Sequence, residues 1–276
     1  ISVILCAVLA IKLSGGFTEV YGSLPHDKYF NLFSRGMGID GGAFLSVVFG
    51  VLSTQTYIQA VLSGKSNNAS IKGTLISSVL IPPIGIGGIL IGLYMRINFP
   101  NIVSGQAFPL FIIYNMPPFI GGAILATLLI ALVGTGSGMA LGFGAIITND
   151  IYKKYINKNA DSKKELSVTR VVILISLAVS AMFTLGNLKS AVLTWGFMSM
   201  GLRATVLLTP MITALFFKGK VSSKYAILSS VLGFASFLTC EIFLNLNIDP
   251  LIIGVSVSAV IAIAGSRKSV LRRYEL

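Results

Sequence analysis

Long apolar stretches, separated by short polar connections, make up most of this sequence. Eight of them approach the roughly 20 residues that a helix needs to cross about 30 Å of hydrocarbon. They lie at approximately residues 1–24, 43–63, 75–95, 117–148, 168–186, 190–217, 225–246 and 248–264. The pattern predicts an all-α, polytopic membrane protein with about eight transmembrane helices. Residues 102–115 are apolar but too short to cross, so we expect an interfacial or re-entrant helix there.

The composition supports a membrane protein and excludes most soluble classes. Of the 276 residues, 54% are apolar and 11% are charged, against roughly 25% charged in globular domains. The longest connections are too short for a soluble domain, so residues 1–276 are predicted to form a single transmembrane domain. Residues 1–13 would rise only about 20 Å as a helix, and we therefore expect the first helix to begin before Ile1 and the domain to be incomplete.

The basic residues predict the orientation of the chain. Fifteen of them lie in alternate connections, starting after the second stretch, and only four lie in the opposite connections. Because positive charge marks the cytoplasmic side, the C-terminus is predicted to be cytoplasmic, in the cell or plasma membrane. The net charge of +12 then reflects topology and contact with anionic membrane lipids, and no nucleic-acid partner is expected.

A cluster of polar residues interrupts the second stretch. Ser53, Thr54, Gln55, Thr56 and Gln59 crowd into seven positions, too many to face lipid. Gln55 and Gln59 stand four apart, on one helical face. The cluster is either a set of hydrogen bonds between helices or a helix broken at a binding site.

Glycines and hydroxyls mark the middle of the fourth stretch. Gly134, Gly138 and Gly142 lie four apart, with Thr135 and Ser137 beside them. Such a face allows another backbone to approach closely, and its oxygens could instead surround a hard cation. The residues alone leave both interpretations open.

Arg203 lies about halfway along the sixth stretch. A central arginine costs at least roughly 2.5–3.5 kcal/mol in a bilayer, so its guanidinium must face a cavity, a carboxylate or backbone carbonyls. A cavity or substrate-binding role, a structural pair and an interfacial position are all compatible with this residue. Cys6, Cys240 and the single His26 offer no ligand set for a metal or redox centre, and the cysteines are predicted to be packing residues.

Four segments together resemble the sodium:solute symporters, a family that includes carriers of proline, pantothenate, sugars and sialic acid. They are Gly15-Gly16-Phe17 through Leu24-Pro25, Gln55 through Gln59 with Lys65-Ser66 and Ala69 to Gly73, Phe108-Pro109-Leu110-Phe111 with Pro117-Pro118 and Asp150 to Lys153, and Thr209-Pro210 to Phe216-Phe217-Lys218. Each motif is weak alone, but their order and spacing agree over nearly the whole chain.

The resemblance implies a leucine-transporter fold of two inverted five-helix repeats, with substrate and sodium bound between them. In terms of that fold, the resemblance implies that the chain contains the second inverted repeat and flanking helices. The missing N-terminal half of the same protein would then be its partner. The sodium ligands of the eighth helix fall on Ala131, Gly134 and Thr135. Gly134 lacks the family's hydroxyl, and the Asp-Ser that follows in the family falls on Ser137-Gly138, which puts sodium coupling in doubt.

The resulting prediction is a fragment of a secondary active transporter that couples sodium to symport of a small polar or anionic solute by alternating access. The expected substrate-binding residues are Ser53, Thr54, Gln55, Gln59 and Arg203. No catalytic constellation appears, so the chain is not predicted to be an enzyme, and sodium is the only expected cofactor. The alternatives are a transporter-like membrane sensor and a proton-coupled permease of the same superfamily.

Overall fold

The structure is a computed structural model that describes residues 1–186, 192–244 and 246–274. Within these ranges the chain is helical and contains no strand. The twelve α-helices are α1 Ser2–Leu13, α2 Phe17–Ser23, α3 His26–Tyr29, α4 Met37–Leu52, α5 Gln55–Leu62, α6 Asn67–Asn98, α7 Ala107–Asn115, α8 Pro118–Ile146, α9 Ser162–Gly186, α10 Val192–Phe216, α11 Ser223–Phe243 and α12 Pro250–Tyr274. A π-helical segment, Ile147–Ile156, extends α8.

The helices confirm the predicted all-α membrane class. Five of them are long and apolar enough to cross a membrane, and there are up to seven such spans if two bent helix pairs count as one span each. The bent pairs are α1 with α2, at 71°, and α4 with α5, at 46°. The apolar part of α12, Pro250–Ser266, is shorter. Each of the eight predicted stretches thus contains a helix, and α7 occupies the predicted short segment.

The orientation of the chain stays a prediction. It rests in part on Lys189, which lies outside the described residues, as do Glu275 and Leu276 at the C-terminus.

Contacts between Cα atoms divide the predicted single domain into two units, each with a core of its own. Unit 1 comprises residues 1–24 and 59–191, and unit 2 comprises residues 25–58 and 192–276.

The core of unit 1 forms where α1, α6, α7 and α8 pack together. Cys6 and Phe111 are fully buried in it, as expected for a packing cysteine. The Tyr94 ring meets the Phe111 ring edge-on at 5.3 Å, and its hydroxyl donates to Asn115 Oδ1 at 3.2 Å. Small residues let α1 approach α6: a Cβ at Gly87 would lie 3.0 Å from the Val3 side chain.

Polar contacts fix the end of α8 against α9 in the same unit. The hydroxyls of Thr148 and Thr169 are 2.8 Å apart, and Lys153 pairs with Glu165 at 2.7 Å. These contacts lie on the π-helical extension of α8 and on the first turns of α9, and they join the two helices beyond the apolar segments.

Unit 2 packs α4, α10, α11 and α12 through small residues. A Cβ at Gly50 of α4 would collide with the Met200 side chain of α10. A Cβ at Gly233 of α11 would lie 3.0 Å from Ser258 of α12, and Ser230 of α11 donates to the Val206 carbonyl of α10 at 2.8 Å. These close approaches hold α10 between α4 and α11, and this position brings the deep arginine of α10 beside the end of α4.

Candidate functional site

The second predicted span is broken where its polar cluster begins. Helix α4 ends at Leu52 and α5 starts at Gln55, so Ser53 and Thr54 form a two-residue break. Their N–H groups still bond to α4, Ser53 to the Phe49 carbonyl at 3.0 Å and Thr54 to the Val51 carbonyl at 3.1 Å. The first backbone N–H groups of a helix have no partner within that helix, so a helix that begins at Gln55 directs the positive end of its dipole at the break.

Arg203 contacts this break from α10. Its Nη1 donates to Thr54 Oγ1 at 2.9 Å, and Thr54 Oγ1 donates in turn to the Gly50 carbonyl at 2.6 Å. The other guanidinium nitrogens bond to Ser199, one turn earlier on α10, through its carbonyl at 3.1 Å and its hydroxyl at 3.2 Å. The half-buried guanidinium is therefore held by neutral oxygens.

No carboxylate among the described residues lies within ion-pair distance of Arg203, since the ion pairs there are Arg35–Asp40 and Lys153–Glu165. The positive charge is positioned but not neutralised. A structural ion pair, one of the interpretations of its deep position, is therefore not seen among the described residues.

Ser53 adds a second polar group at the break. Its side chain is 3% exposed, and its Oγ has no hydrogen-bond partner in the part of the chain that the structure describes. Buried hydroxyls are normally paired, and the exceptions concentrate where a ligand or an ordered water completes the set. Ser53 thus supports a polar site at this point of unit 2.

The predicted substrate residues are brought together only in part. Ser53, Thr54 and Arg203 share the break in unit 2, and Gln55 begins α5 directly after it. Gln59 lies one turn further along α5, exposed, and its contacts assign it to unit 1. Ser199 was not predicted. Its position four residues before an intramembrane arginine is the signal that could have identified it.

The predicted sodium ligands lie in the middle of α8. Thr135 Oγ1 donates to the Ala131 carbonyl at 2.9 Å, so two of the predicted ligand oxygens are neighbours on one helical turn. The Gly134 carbonyl accepts from Ser137 Oγ at 3.0 Å, and Gly134 has no side-chain oxygen to offer an ion. Apart from the adjoining residues and backbone of α8 itself, no described atom lies within 4 Å of an ideal Cβ at Gly134 or Gly138, so tight packing within unit 1 does not explain these glycines.

Comparisons with known proteins agree with the observed architecture. A model of the sodium:solute symporter family matches residues 37–233. The chain is also 24% identical over 196 residues to the sodium/pantothenate symporter of Haemophilus influenzae, an alignment that covers 71% of this chain and 40% of that protein. The chain spans less than half the length of this relative. The protein belongs to the sodium:solute symporter family, and its apolar helices make it an integral membrane protein.

Proposed function

We propose that this sodium:solute symporter forms part of a secondary active transporter that couples sodium to the movement of a small solute carrying a carboxylate. The solute's carboxylate binds at the α4–α5 break. The observation that carries the proposal is the guanidinium of Arg203, which is bonded to Thr54 at a helix break and has no carboxylate partner among the described residues.

An anion suits this break for electrostatic reasons. Guanidinium groups bind carboxylates through two parallel N–H donors, and charge-assisted bonds of this kind are about twice as strong as neutral ones. The start of α5 adds the positive end of a helix dipole, an arrangement that recurs where broken helices bind anionic substrates. When Arg203 forms a bidentate pair with the solute, its guanidinium would exchange the neutral Ser199 and Thr54 oxygens for a charged partner.

Ser53, Gln55 and Gln59 are the further residues proposed to contact the solute. The unpartnered hydroxyl of Ser53 and the side chain of Gln55 flank the break in sequence, and Gln59 follows one turn later on α5. They offer neutral donors and acceptors that can select the polar body of the solute. The name of the Haemophilus relative, a sodium/pantothenate symporter, agrees with a carboxylate-bearing solute.

Sodium is proposed to bind at the midpoint of α8. The Ala131 carbonyl and the Thr135 hydroxyl are oxygen ligands of the kind that hard cations prefer, and Gly134 occupies the position of the hydroxyl that this chain lacks. The family resemblance assigns the remaining ligands to the first core helix, in the N-terminal half of the complete protein. Because Gly134 has no hydroxyl, this side of the site offers one oxygen fewer than the family pattern.

The loss of that oxygen favours a second candidate, a proton-coupled permease with the same architecture. A transporter-like sensor without transport is a third, and an absence of solute uptake would favour it. The sodium symporter and the proton-coupled permease would both work by alternating access, in which no covalent bond is made or broken.

Uptake of labelled pantothenate by the protein, expressed from its complete coding sequence in proteoliposomes, tests the proposal. We expect an inward sodium gradient to drive accumulation, and pantothenol, which has an alcohol in place of the carboxylate, to compete poorly. Arg203→Gln should lower pantothenate uptake at least about 30-fold, since loss of one partner of a buried charged pair costs roughly 2–5 kcal/mol. Arg170→Gln, at an exposed arginine of α9, is the matched control.

Three outcomes would contradict parts of this proposal. Equal losses of folded yield and uptake in Arg203→Gln would make the arginine structural. Equal competition by pantothenol would remove the carboxylate from the assignment. Accumulation that stops with a protonophore and persists without sodium would replace the symporter with the proton-coupled permease.

A further inference from the structure

Unit 2 contains a cavity that the proposed transport site does not use. It lies between the starts of α4 and α12 and the facing turns of α10 and α11, and its volume is about 210 Å³. Pockets that bind drug-sized ligands measure roughly 300–1,000 Å³, so this cavity suits a smaller molecule. Its lining includes Arg35, Phe197, Phe237, Glu241 and Asp249.

The positive charge at this cavity is already neutralised. Nε and Nη2 of Arg35 both lie 2.7 Å from Asp40 Oδ1, and the Arg35 backbone N–H donates to Asp40 Oδ2 at 2.8 Å. With Arg35 and Asp40 paired, the carboxylates of Glu241 and Asp249 leave the cavity with a net negative charge. An anion would therefore be disfavoured here.

Asp249 is a fixed acceptor on the cavity wall. It lies in the connection before α12, where its Oδ1 accepts from the Leu251 N–H at 2.9 Å and its own N–H donates to the Gly38 carbonyl at 3.1 Å. Burial raises its pKa, while the Leu251 N–H, the Arg35 charge and the Ser46 hydroxyl act in the opposite direction. A cation in the cavity would stabilise its ionised form.

Glu241 is the carboxylate available to a ligand. It projects from α11 into the lining of the cavity, and among the described residues no hydrogen-bond donor or cation lies within bonding distance of it. Because Glu241 and Asp249 line the same cavity, a positive charge between the two carboxylates would relieve their mutual repulsion. The pair therefore marks where a ligand's charge would lie.

The remaining walls favour an organic cation over a metal ion. Phe197 and Phe237 line the same cavity together with Met198, and aromatic rings attract ammonium groups through their negative faces. A bare metal ion needs a shell of oxygens, and the described residues contain no group of three acidic, histidine or cysteine side chains that could hold one.

We propose that this cavity binds a small organic ammonium ion, with its charge between Glu241 and Asp249 and its carbon atoms against Phe197 and Phe237. The site is distinct from the break, because Phe197 precedes Arg203 by six residues on α10, about 9 Å along the helix axis. The two sites also have opposite charge. The inference therefore goes beyond the transport proposal and does not depend on it.

Titration of the complete purified protein with tetramethylammonium, followed by saturation-transfer NMR, tests the site. Neopentyl alcohol has a similar shape without the charge and should bind at least tenfold more weakly. Glu241→Gln should raise the Kd for tetramethylammonium at least tenfold. Phe197→Leu should raise it roughly two- to fivefold, the effect of one exposed cation–π contact. Glu19→Gln, at an exposed carboxylate of α2, should leave the Kd unchanged.

Several outcomes would overturn the assignment. Equal binding of neopentyl alcohol would show that the charge does not matter, and an unchanged Kd in Glu241→Gln would remove this carboxylate from the site. Displacement of tetramethylammonium by sodium or calcium at concentrations below that of the probe would make the cavity an inorganic-cation site. Arg203→Gln should bind the probe normally, and a loss there in folded protein would place the probe at the break instead. If Glu241→Gln does not fold, Glu241→Asp and Phe197→Leu carry the same test.

Discussion

The midpoint of α8 and the break between α4 and α5 contain similar residues and have different structures. In α8, Thr135 bonds to the Ala131 carbonyl of its own helix, and the helix continues uninterrupted. At the break, Thr54 receives a bond from Arg203 of another helix, and the helix stops. Hydroxyls that bond to a carbonyl one turn earlier are satisfied locally, whereas a hydrogen bond between helices fixes the position of two elements.

The glycines of the two regions differ in the same way. Gly50 is in contact with Met200 of α10 and has no room for a Cβ, while Gly134 has no described atom within 4 Å of that position other than its adjoining residues and the backbone of α8. The glycine at the break is therefore a requirement of packing inside unit 2. The glycine in α8 is free of such a requirement within its unit, which agrees with a face that binds a ligand.

The largest expected effect tests this contrast with one matched pair of substitutions. Gly50→Ala should destabilise the protein by about 1–3 kcal/mol, because the added methyl overpacks the contact with Met200. Gly134→Ala should stabilise it by roughly 0.5–1 kcal/mol through helix propensity alone. Thermal unfolding followed by fluorescence-detected size exclusion measures both, and similar losses in the two variants would contradict the contrast.

Removing the hydrogen bond between helices should have the next largest effect. Thr54→Val deletes the oxygen that positions Arg203, and hydrogen bonds to charged groups contribute roughly 1.5–3 kcal/mol. We expect the KM for a carboxylate solute to rise at least about tenfold, with little change in folded yield. Thr54→Ser retains the oxygen and should transport normally, so a defect of the same size in Thr54→Ser would show that the methyl group, and not the hydrogen bond, matters.

On the α8 side, the effect should appear in the response to sodium. Thr135→Ala should raise the sodium concentration for half-maximal uptake several-fold or abolish the dependence, and Gly134→Ser should lower it by restoring an oxygen. Thr127 makes the same kind of bond, to the Ala123 carbonyl at 2.8 Å, and Thr127→Ala is the control. If Thr135→Ala and Thr127→Ala respond to sodium identically, the ion assignment is wrong.

The helices were predictable because the bilayer length dictates apolar runs of about 20 residues, and these are visible without any contact information. The polar cluster at residues 53–59 also indicated a broken helix or a polar contact. Sequence could not decide between them, because the choice depends on Arg203, which lies 149 residues after Thr54. A contact this distant leaves no periodic signal.

The cavity near Glu241 was missed for a related reason. Its charged residues come from three separate stretches, and Glu241 and Asp249 look like ordinary residues at the ends of apolar segments. Their meeting requires the close approach of the 247–249 connection to Gly38 and Gly42, where no Cβ fits. Steric contacts between backbones determine this arrangement, and composition does not encode them.

The smallest predicted effect concerns two buried serines, Ser53 at the break and Ser258 in the packing of α12, and tests which of their hydroxyls binds the solute. Ser53 and Ser258 are both buried, and among the described residues both lack a hydrogen-bond partner. An unpaired buried hydroxyl costs about 1–3 kcal/mol, so Ser53→Ala and Ser258→Ala should each raise the unfolding temperature by about 2–4 °C for each kcal/mol recovered.

Only Ser53→Ala should weaken solute uptake, because Ser258 packs against Gly233, whereas Ser53 adjoins the Arg203 contact. Ser229→Ala, whose hydroxyl is already bonded to the Ala226 carbonyl at 2.8 Å, should give no rise in unfolding temperature. Uptake that is unaffected by Ser53→Ala would remove this serine from the site and leave the anion to Arg203 and the start of α5.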